Sequence, residues 1–530
     1  MADGVGPVAE GMRDVDVRLA ADGALGRRWL QAIDELAGCV RPVGDCADPI
    51  LCEGGTYPGS WIEGTGTVST EVLDRFAPLV SRATHLAFAR HCRADGLMPY
   101  KLTDAGPGFS QIQIVTPLAR SVWKHYRQTG ASRDYLRTMY EAMAGMDAWL
   151  AGHRDTRGTG GVEAFCTFDT GHDLSPRFWF VPDRCLGGDA ARYDPSCPAL
   201  PYIAPDLTAN VACQRGYLAL MAAELGECPQ PWRALAAASA DALWTKCFDG
   251  GDEFFYDRAA GGELVRVQSD VLLRVLACEV GDAGFFERAL SRYVMNTAKF
   301  LSHYGFTSIS LDDPRFDHDY TRNSWGGPVN FLTLLRAPQA FEGHGHVAEL
   351  ALVERPVLEA MLACDRFPQC LDPWTGQPGF TDHYSPAILW LLDAVERNMG
   401  IEPRPDGGIW FTALPPTRLD SAQSAGRVGY RRVVAGVSYD LVVDGEQAEV
   451  FADGSPWLSF PTGWRVAARD GLVEAVTGMR APGTQGSLSV RQHGAVHSTP
   501  LDLPPNHVAR FRRGECVGVT PHTFVAPQFG

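Results

Sequence analysis

The sequence predicts a mainly α protein, a ring of helical hairpins followed by a small C-terminal antiparallel β-sandwich. Three observations carry that expectation. From about residue 69 to 398, apolar residues recur at three- and four-residue spacing in segments of helical length. The loops between these segments are uneven, with long ones over 53 to 68, 154 to 205, 303 to 324 and 366 to 383. After Pro405 the period falls to two, in short β-branched runs ended by Gly, Asp or Pro.

The first helix is expected at "GALGRRWLQAIDELAG", inside an N-terminal extension over 1–54. A helical domain over 55–402 follows, with segments at "STEVLDRFAPLVSRATHLAFARHC", "IVTPLARSVWKHYRQTG", "SRDYLRTMYEAMAGMDAWLAGH", "DLTANVACQRGYLALMAAELG" and "PQPWRALAAASADALWTKCF". It continues through "VQSDVLLRVLACEV", "AGFFERALSRYVMNTAKF", "SWGGPVNFLTLLRA", "EGHGHVAELALVERPVLEAMLAC" and "YSPAILWLLDAVERNMG". Each carries an apolar stripe that must be covered by a neighbour. About eleven helices are countable, and six closed hairpins need twelve. Long loops gathered at one end of such a scaffold are where a binding pocket is expected. The last unit, 403–530, reads as a β-sandwich and tail from runs such as "GGIWFTALPP", "VSYDLVVDG", "WRVAARDGLVEAVTG" and "GSLSVRQHG".

Composition narrows the function. Lys and Arg total 47 against 63 Asp and Glu, a formal net charge of -16, which opposes non-specific binding to nucleic acid or an anionic membrane. No run approaches the roughly 20 apolar residues of a membrane span. The stretch "MADGVGPVAEGMRDVDVRLA" has neither a basic region followed by an apolar one nor a cleavage site, which points to the cytoplasm. Fourteen scattered cysteines without a C-x-x-C pair read as reduced thiols. Cys39, Cys46 and Cys52 lack companions at ligand spacing, and His344 and His346 in "EGHGH" stand at i, i+2, on different helix faces. No metal is expected. Nor is a cofactor, since there is no phosphate-cradling Gly loop with a Lys, no G-x-S-x-G turn and no nucleotide fingerprint. The expected partner is a small molecule; the sequence sets no oligomeric state.

One stretch concentrates unusual chemistry. In "CTFDTGHDLSPRFW" an acid, a proline and an arginine lie among apolar residues. Asp173 there can cap a helix, pair with Arg177, or hold a proton for chemistry. Phe168, Phe178 and Trp179 are near enough in sequence to desolvate it and raise its pKa. Arg177 would lower that pKa if it touched Asp173, so it is expected to point at substrate hydroxyls or at another carboxylate. Trp61 and Trp325 are candidates to stack on a ligand, and Glu63, Gln111, His383 and Tyr384 to bind hydroxyls. Aromatics at helix starts are more often core.

Set beside "YTRNSWGGPVNFLTLLRA" and "LDPWTGQPGFTDHYSPAILWLLDAV", this stretch resembles, in the same order, motifs of inverting glycosidases with an (α/α)6 barrel. The resemblance is to glycoside hydrolase family 63 and its mannosylglycerate and glucosylglycerate hydrolase relatives, with trehalases more distant. The family's G-x-D-x-S-P-R stretch is matched by Gly171, Asp173, Ser175, Pro176 and Arg177. Its Y-W-R-G-P-x-W stretch is matched in part by Trp325, Gly327 and Pro328, with Gly326 in place of the Arg. "DGLMPYKLTDAGPGFSQ" resembles the loop ending in Ser110 and Gln111, and "PDLTANVACQRGYLALMAAELG" the D-L-N-A helix with Thr208 in the Asn position. The resemblance spans roughly 55 to 400 and implies a glycosidase on a small glycoside, with Asp173 as the general acid.

Inversion also needs a base across the sugar, about 6.5 to 9.5 Å from the acid. Counting back from Asp372, Pro373, Thr375 and Gly376, the family's base position is Gln369. A neutral amide accepts no proton at physiological pH. Three readings follow. Another carboxylate takes the role, with Asp382 leading and Asp372 and Glu63 behind it; or the nucleophile is phosphate, which arrives ionised; or hydrolysis has given way to other chemistry or to sugar binding alone. Asp382 opens the helix after the Gln369 loop, where an Asp also serves as a plain cap.

Overall fold

The computed structural model describes residues 6–415, 426–492 and 494–530. Residues 1–5 of the stretch read for a leader lie outside the described residues, as do Pro416 at the end of "GGIWFTALPP" and His493 in "GSLSVRQHG". Thirteen α-helices occur among them: α1 (Pro7–Asp14), α2 (Gly23–Gly38), α3 (Ser69–Leu73), α4 (Pro78–Arg90), α5 (Leu118–Thr129), α6 (Arg133–His153) and α7 (Pro205–Glu224), then α8 (Gln230–Ala242), α9 (Val271–Leu276), α10 (Ala283–Ala289), α11 (Phe331–Gly343), α12 (Val347–Ala363) and α13 (Ser385–Met399).

Local chemistry sets the helix ends. Ser132 accepts the Tyr135 N–H at the start of α6, Asp282 the Phe285 N–H at α10, and Asn330 the Leu332 N–H at α11. The expected segment from 69 to 92 is two helices, because Pro78 has no N–H to continue the first and instead opens α4 in its first turn. A widened π-type turn, Gly64–Val68, leads into α3.

The helices pack as hairpins. α4 lies on α3, α6 on α5, α8 on α7 and α12 on α11. One member of each of these four pairs, together with α9 and α13, forms an inner succession: α3 packs on α5, α5 on α7, α7 on α9, α9 on α11, α11 on α13, and α13 on α3 again. Burial follows position. Every residue of α13 is buried, whereas α8 buries only Ser239 and Ala242. Among the described residues no helix is long and apolar enough to cross a membrane.

The C-terminal region is antiparallel β. A seven-stranded sheet runs in the order Arg18–Ala21, Arg427–Val434, Val437–Asp444, Gln447–Ala452, Ser455–Pro461, Thr484–Gln492, Ala495–Leu503. A six-stranded sheet runs Ile401–Pro403, Ile409–Ala413, Trp464–Arg469, Leu472–Gly478, Val508–Arg512, Glu515–Thr520. Alternation is clean where it was expected: Tyr439, Leu441 and Val443 are buried on one face. The sheets meet through Phe411, whose ring centroid lies 5.4 Å from Tyr439 and 5.6 Å from Trp457.

The N-terminal segment does not stand apart. Strand Arg18–Ala21 pairs with Arg427–Val434, Leu19 opposite Tyr430, while α2 packs on α13 and α12. A four-residue strand whose partner lies more than 400 positions away leaves no local signal. Buried charges tie the helical and β regions together: Arg75 pairs with Glu402 at 3.6 Å, Arg432 with Glu396, and Arg465 with Glu342.

Candidate active site

Loops after α2, α4, α6, α10 and α12 converge on one pocket of about 160 Å³. A three-stranded sheet, Gly59–Trp61 with Lys101–Thr103 and Gly106–Gly108, sets Trp61 opposite Lys101. A second, Val329–Asn330 with Cys370–Leu371 and Pro378–Gly379, brings Gln369 to the start of α11, where its carbonyl accepts from the Phe331 N–H at 3.1 Å. The loop carrying Asp173 is pinned from below. Arg154 and Asp169, both fully buried, pair at 2.6 Å, and Arg177 bridges Asp206 at 2.9 Å and Asp257 at 2.7 Å.

Asp173 opens into this pocket. Its carbonyl accepts from the Trp325 N–H at 2.9 Å, so the two residues are locked in register. Burial pushes its carboxyl up to about 7, and the charge of Glu63 pushes the same way; a hydrogen bond from Asn323 Nδ2 and the charge of Arg274 oppose them. A carboxyl protonated near neutrality inside a polar pocket is suited to proton donation.

Gln369 belongs to a directed relay. Tyr57 donates its hydroxyl to Gln369 Oε1 at 2.7 Å, Gln369 Nε2 donates to Asn323 Oδ1 at 3.0 Å, and Asn323 Nδ2 donates to Asp173 Oδ2. An amide at 369 both accepts and donates, which an ionised carboxylate cannot. A carboxylate there would force Asn323 to reverse and turn its oxygen toward Asp173. Gln369 therefore holds a donor on Asp173.

Glu63 lies across the same pocket, with Arg336 Nη2 at 2.8 Å, Gln113 Nε2 at 2.9 Å and Arg274 Nη2 at 3.5 Å. Gly171, at φ +65, leaves it room, since a Cβ there would collide with Glu63 Oε2. Glu53 is the third carboxyl of the pocket. Its Oε1 accepts from Tyr384 at 2.8 Å; burial raises it to about 8, with the charges of Glu63 and Asp173 adding to that and the Tyr384 bond opposing.

Six of the expected residues line the pocket: Trp61, Glu63, Gln111, Asp173, Trp325 and Gln369. The others lie outside it. Arg177 does not reach the pocket, because its guanidinium is consumed by Asp206, Asp257 and His172 beneath it. Asp382 is 53% exposed and His383 61% exposed; they face solvent, and His383 pairs with Glu35 at 2.8 Å. Asp382 is not a helix cap either, as α13 starts from Tyr384 without a side-chain cap. Phe380, Thr381 and His383 all have positive φ, and this backbone path turns both side chains outward. Tyr384 is fully buried behind Glu53. Asp372 binds its own turn through the Trp374 and Thr375 N–H groups. Of the aromatics placed near Asp173, only Phe168 lines the pocket; Phe178 stacks on Tyr202, and Trp179 is exposed.

Sequence reasoning missed Glu53, Tyr57, Lys101, Gln113, Arg184 and Asn323, all pocket-lining. Asn323 and Lys101 sat inside quoted stretches, and Tyr57 four residues before Trp61 had a readable signal. Glu53 had none, being a lone acid before two glycines. Lys101 and Arg184 meet aromatic faces, Trp61 and Phe168 at 5.4 and 5.7 Å, and pair with no carboxylate among the described residues.

Residues 79–385 match the model of the mannosylglycerate hydrolase MGH1-like glycoside hydrolase domain. Among solved structures, the chain is similar to a GH63 mannosylglycerate hydrolase from Thermus thermophilus, in complex with Tris and D-glycerate. Identity is 18% and the TM-score 0.58, over 69% of this chain and 99% of that one. It is also similar to a sialidase (14% identity, TM-score 0.64, 88% of this chain and 42% of that) and to neutral trehalase from Saccharomyces cerevisiae (12%, 0.53, 66% and 73%). At these identities the likeness is one of fold. No curated protein matches the sequence.

Proposed function

The chain belongs to the mannosylglycerate hydrolase MGH1-like glycoside hydrolase family, and from that premise we propose that it is a glycosidase-type enzyme for a small glycoside. Its helical hairpins form an (α/α)6 barrel over 55–402, with 403–530 as a supporting β-sandwich and 1–54 contributing to both. Asp173 is the general acid. The observation that carries this reading is its carboxyl, raised to about 7 inside the pocket and thus protonated where a leaving oxygen needs a proton.

The water-activating group is assigned to Glu53. Gln369 cannot take a proton, and Glu63 already has Arg336, Arg274 and Gln113 on its oxygens. The Glu53 carboxylate accepts only from Tyr384 among the described residues. With Asp173 near 7 and Glu53 near 8, the single proton of the pair rests mainly on Glu53; the productive form, with that proton on Asp173 and Glu53 ionised, is a minority of the singly protonated state, which is most populated between about pH 7 and 8.

A specific observation supports a second reading. Lys101 and Arg184 are unpaired cations on the pocket wall. They suit an anion, either a carboxylate on the aglycone, as in the D-glycerate of the Thermus complex, or a phosphate nucleophile that needs no base. Incubation with aryl and natural glycosides, neutral and acidic, with and without phosphate, separates the two. Free sugar without phosphate supports hydrolysis; sugar phosphate formed only with phosphate supports phosphorolysis. Binding without either product refutes both.

A further inference from the structure

Far from this pocket, three side chains from three parts of the chain bring ligand atoms together. Glu287 of α10, His346 before α12 and His522 of the C-terminal tail each place one such atom within 4.8 Å of the other two. The site is distinct from the pocket. Leu332, which lines the pocket, is at the first turn of α11, and His346 follows its far end, about 18 Å on at 1.5 Å per residue.

Hydrogen bonding fixes what these groups present. His346 is fully buried, and its Nδ1 lies 2.9 Å from Glu349 Oε1. Glu349 also accepts from the Val525 N–H at 2.7 Å and from Asn506 Nδ2 at 2.7 Å, the environment of an ionised, accept-only carboxylate. His346 Nδ1 therefore carries the proton, leaving a lone pair on Nε2. That Nε2 is buried and has no hydrogen-bond partner. His522 Nδ1 faces the Thr523 carbonyl at 3.3 Å, which only accepts, so its Nε2 also holds a lone pair. The imidazole rings lie 4.8 Å apart, and Glu287 has no cationic partner among the described residues. Backbone makes room for this approach. Gly345 has φ +80, and a Cβ there would stand 2.7 Å from His522 Nε2. Two lone pairs and a carboxylate facing one another repel unless a proton or a metal cation lies between them, and the three converging ligand atoms suit a metal.

We infer that Glu287, His346 and His522 form a zinc site that clamps the C-terminal tail to the helical region. Two neutral imidazoles and a carboxylate are a zinc donor set, with the fourth tetrahedral position left to water. Glu349 supplies the carboxylate behind His346 that orients a ligating imidazole. Ligands at about 2.0–2.1 Å from one ion stand roughly 3.4 Å apart in a tetrahedron. Closing from 4.8 Å needs only small rotations of the partly exposed Glu287 and His522. His344 takes no part, as it stacks on Phe286 at 4.3 Å.

The test uses the intact chain stripped with a chelator and titrated with Co²⁺ alone, followed by Zn²⁺ displacement and thermal melting. The expected result is one Co²⁺ per chain with a ligand-field spectrum lacking a thiolate charge-transfer band, a higher melting temperature, and at least about tenfold weaker binding in both His522→Ala and Glu287→Gln. Both substituted side chains are partly exposed, so the variants are expected to fold. No Co²⁺ uptake, a thiolate band, or unchanged uptake in folded His522→Ala would each overturn the assignment.

Discussion

Asp173→Asn is expected to change activity and stability in opposite directions. Loss of the proton donor should lower kcat/KM by at least about 10²-fold on a glycoside with a poor leaving group. The stability effect follows from proton linkage. The Asp173 carboxyl moves from 3.8 to about 7 on folding, so between these values the unfolded chain loses a proton that the folded chain keeps. Stability therefore falls as pH rises through this window, and the cost is complete above about 7. At about 1.4 kcal/mol for each tenfold change in proton affinity, the ceiling is on the order of 4 kcal/mol. Solvent in the pocket screens the charge and brings the figure to about 2 kcal/mol. Asparagine keeps an oxygen for the Asn323 donor and never ionises, so the variant should be more stable than the parent at pH 8 and no more stable near pH 4. Steady-state kinetics and denaturant titrations at the two pH values measure both effects. More than half the parental activity, or a stability difference independent of pH, would refute the argument.

Glu53→Gln should abolish hydrolysis by at least about 10²-fold, with azide or formate restoring part of it; full activity across the pH range would remove Glu53 from the chemistry. Asp382→Asn should leave kcat and KM within about twofold, because a side chain 53% exposed outside the pocket touches neither substrate nor core. Arg177→Met should cost about 3–5 kcal/mol in a denaturant titration, since it strands Asp206 and Asp257 as buried charges without their partner; a loss below about 1 kcal/mol would mean that Arg274 alone balances them.

The helical period, the change at Pro405 and the motif around Asp173 were legible in the sequence because each depends on residues within one or two turns of one another. Apolar spacing dictates which helix face must be covered, and Pro78 and Pro205 mark helix starts wherever they fall. The resemblance to glycosidase motifs, not local spacing, singled out Gln111, Asp173, Trp325 and Gln369, and these meet Trp61 and Glu63 in the pocket. Which groups act together was decided by the tertiary structure. Asp382 and Glu53 show why: the first sits beside the Gln369 loop in sequence, yet its backbone turns it to solvent, whereas the second is more than 300 positions away, yet Tyr384 holds it at the pocket wall. Arg177, expected to point at substrate hydroxyls or at another carboxylate, takes the second course, because folding brings Asp206 and Asp257 beneath it. A side chain's charge, direction and proton affinity depend on what is packed against it, and for these residues the packing partners come from distant segments that no local pattern encodes.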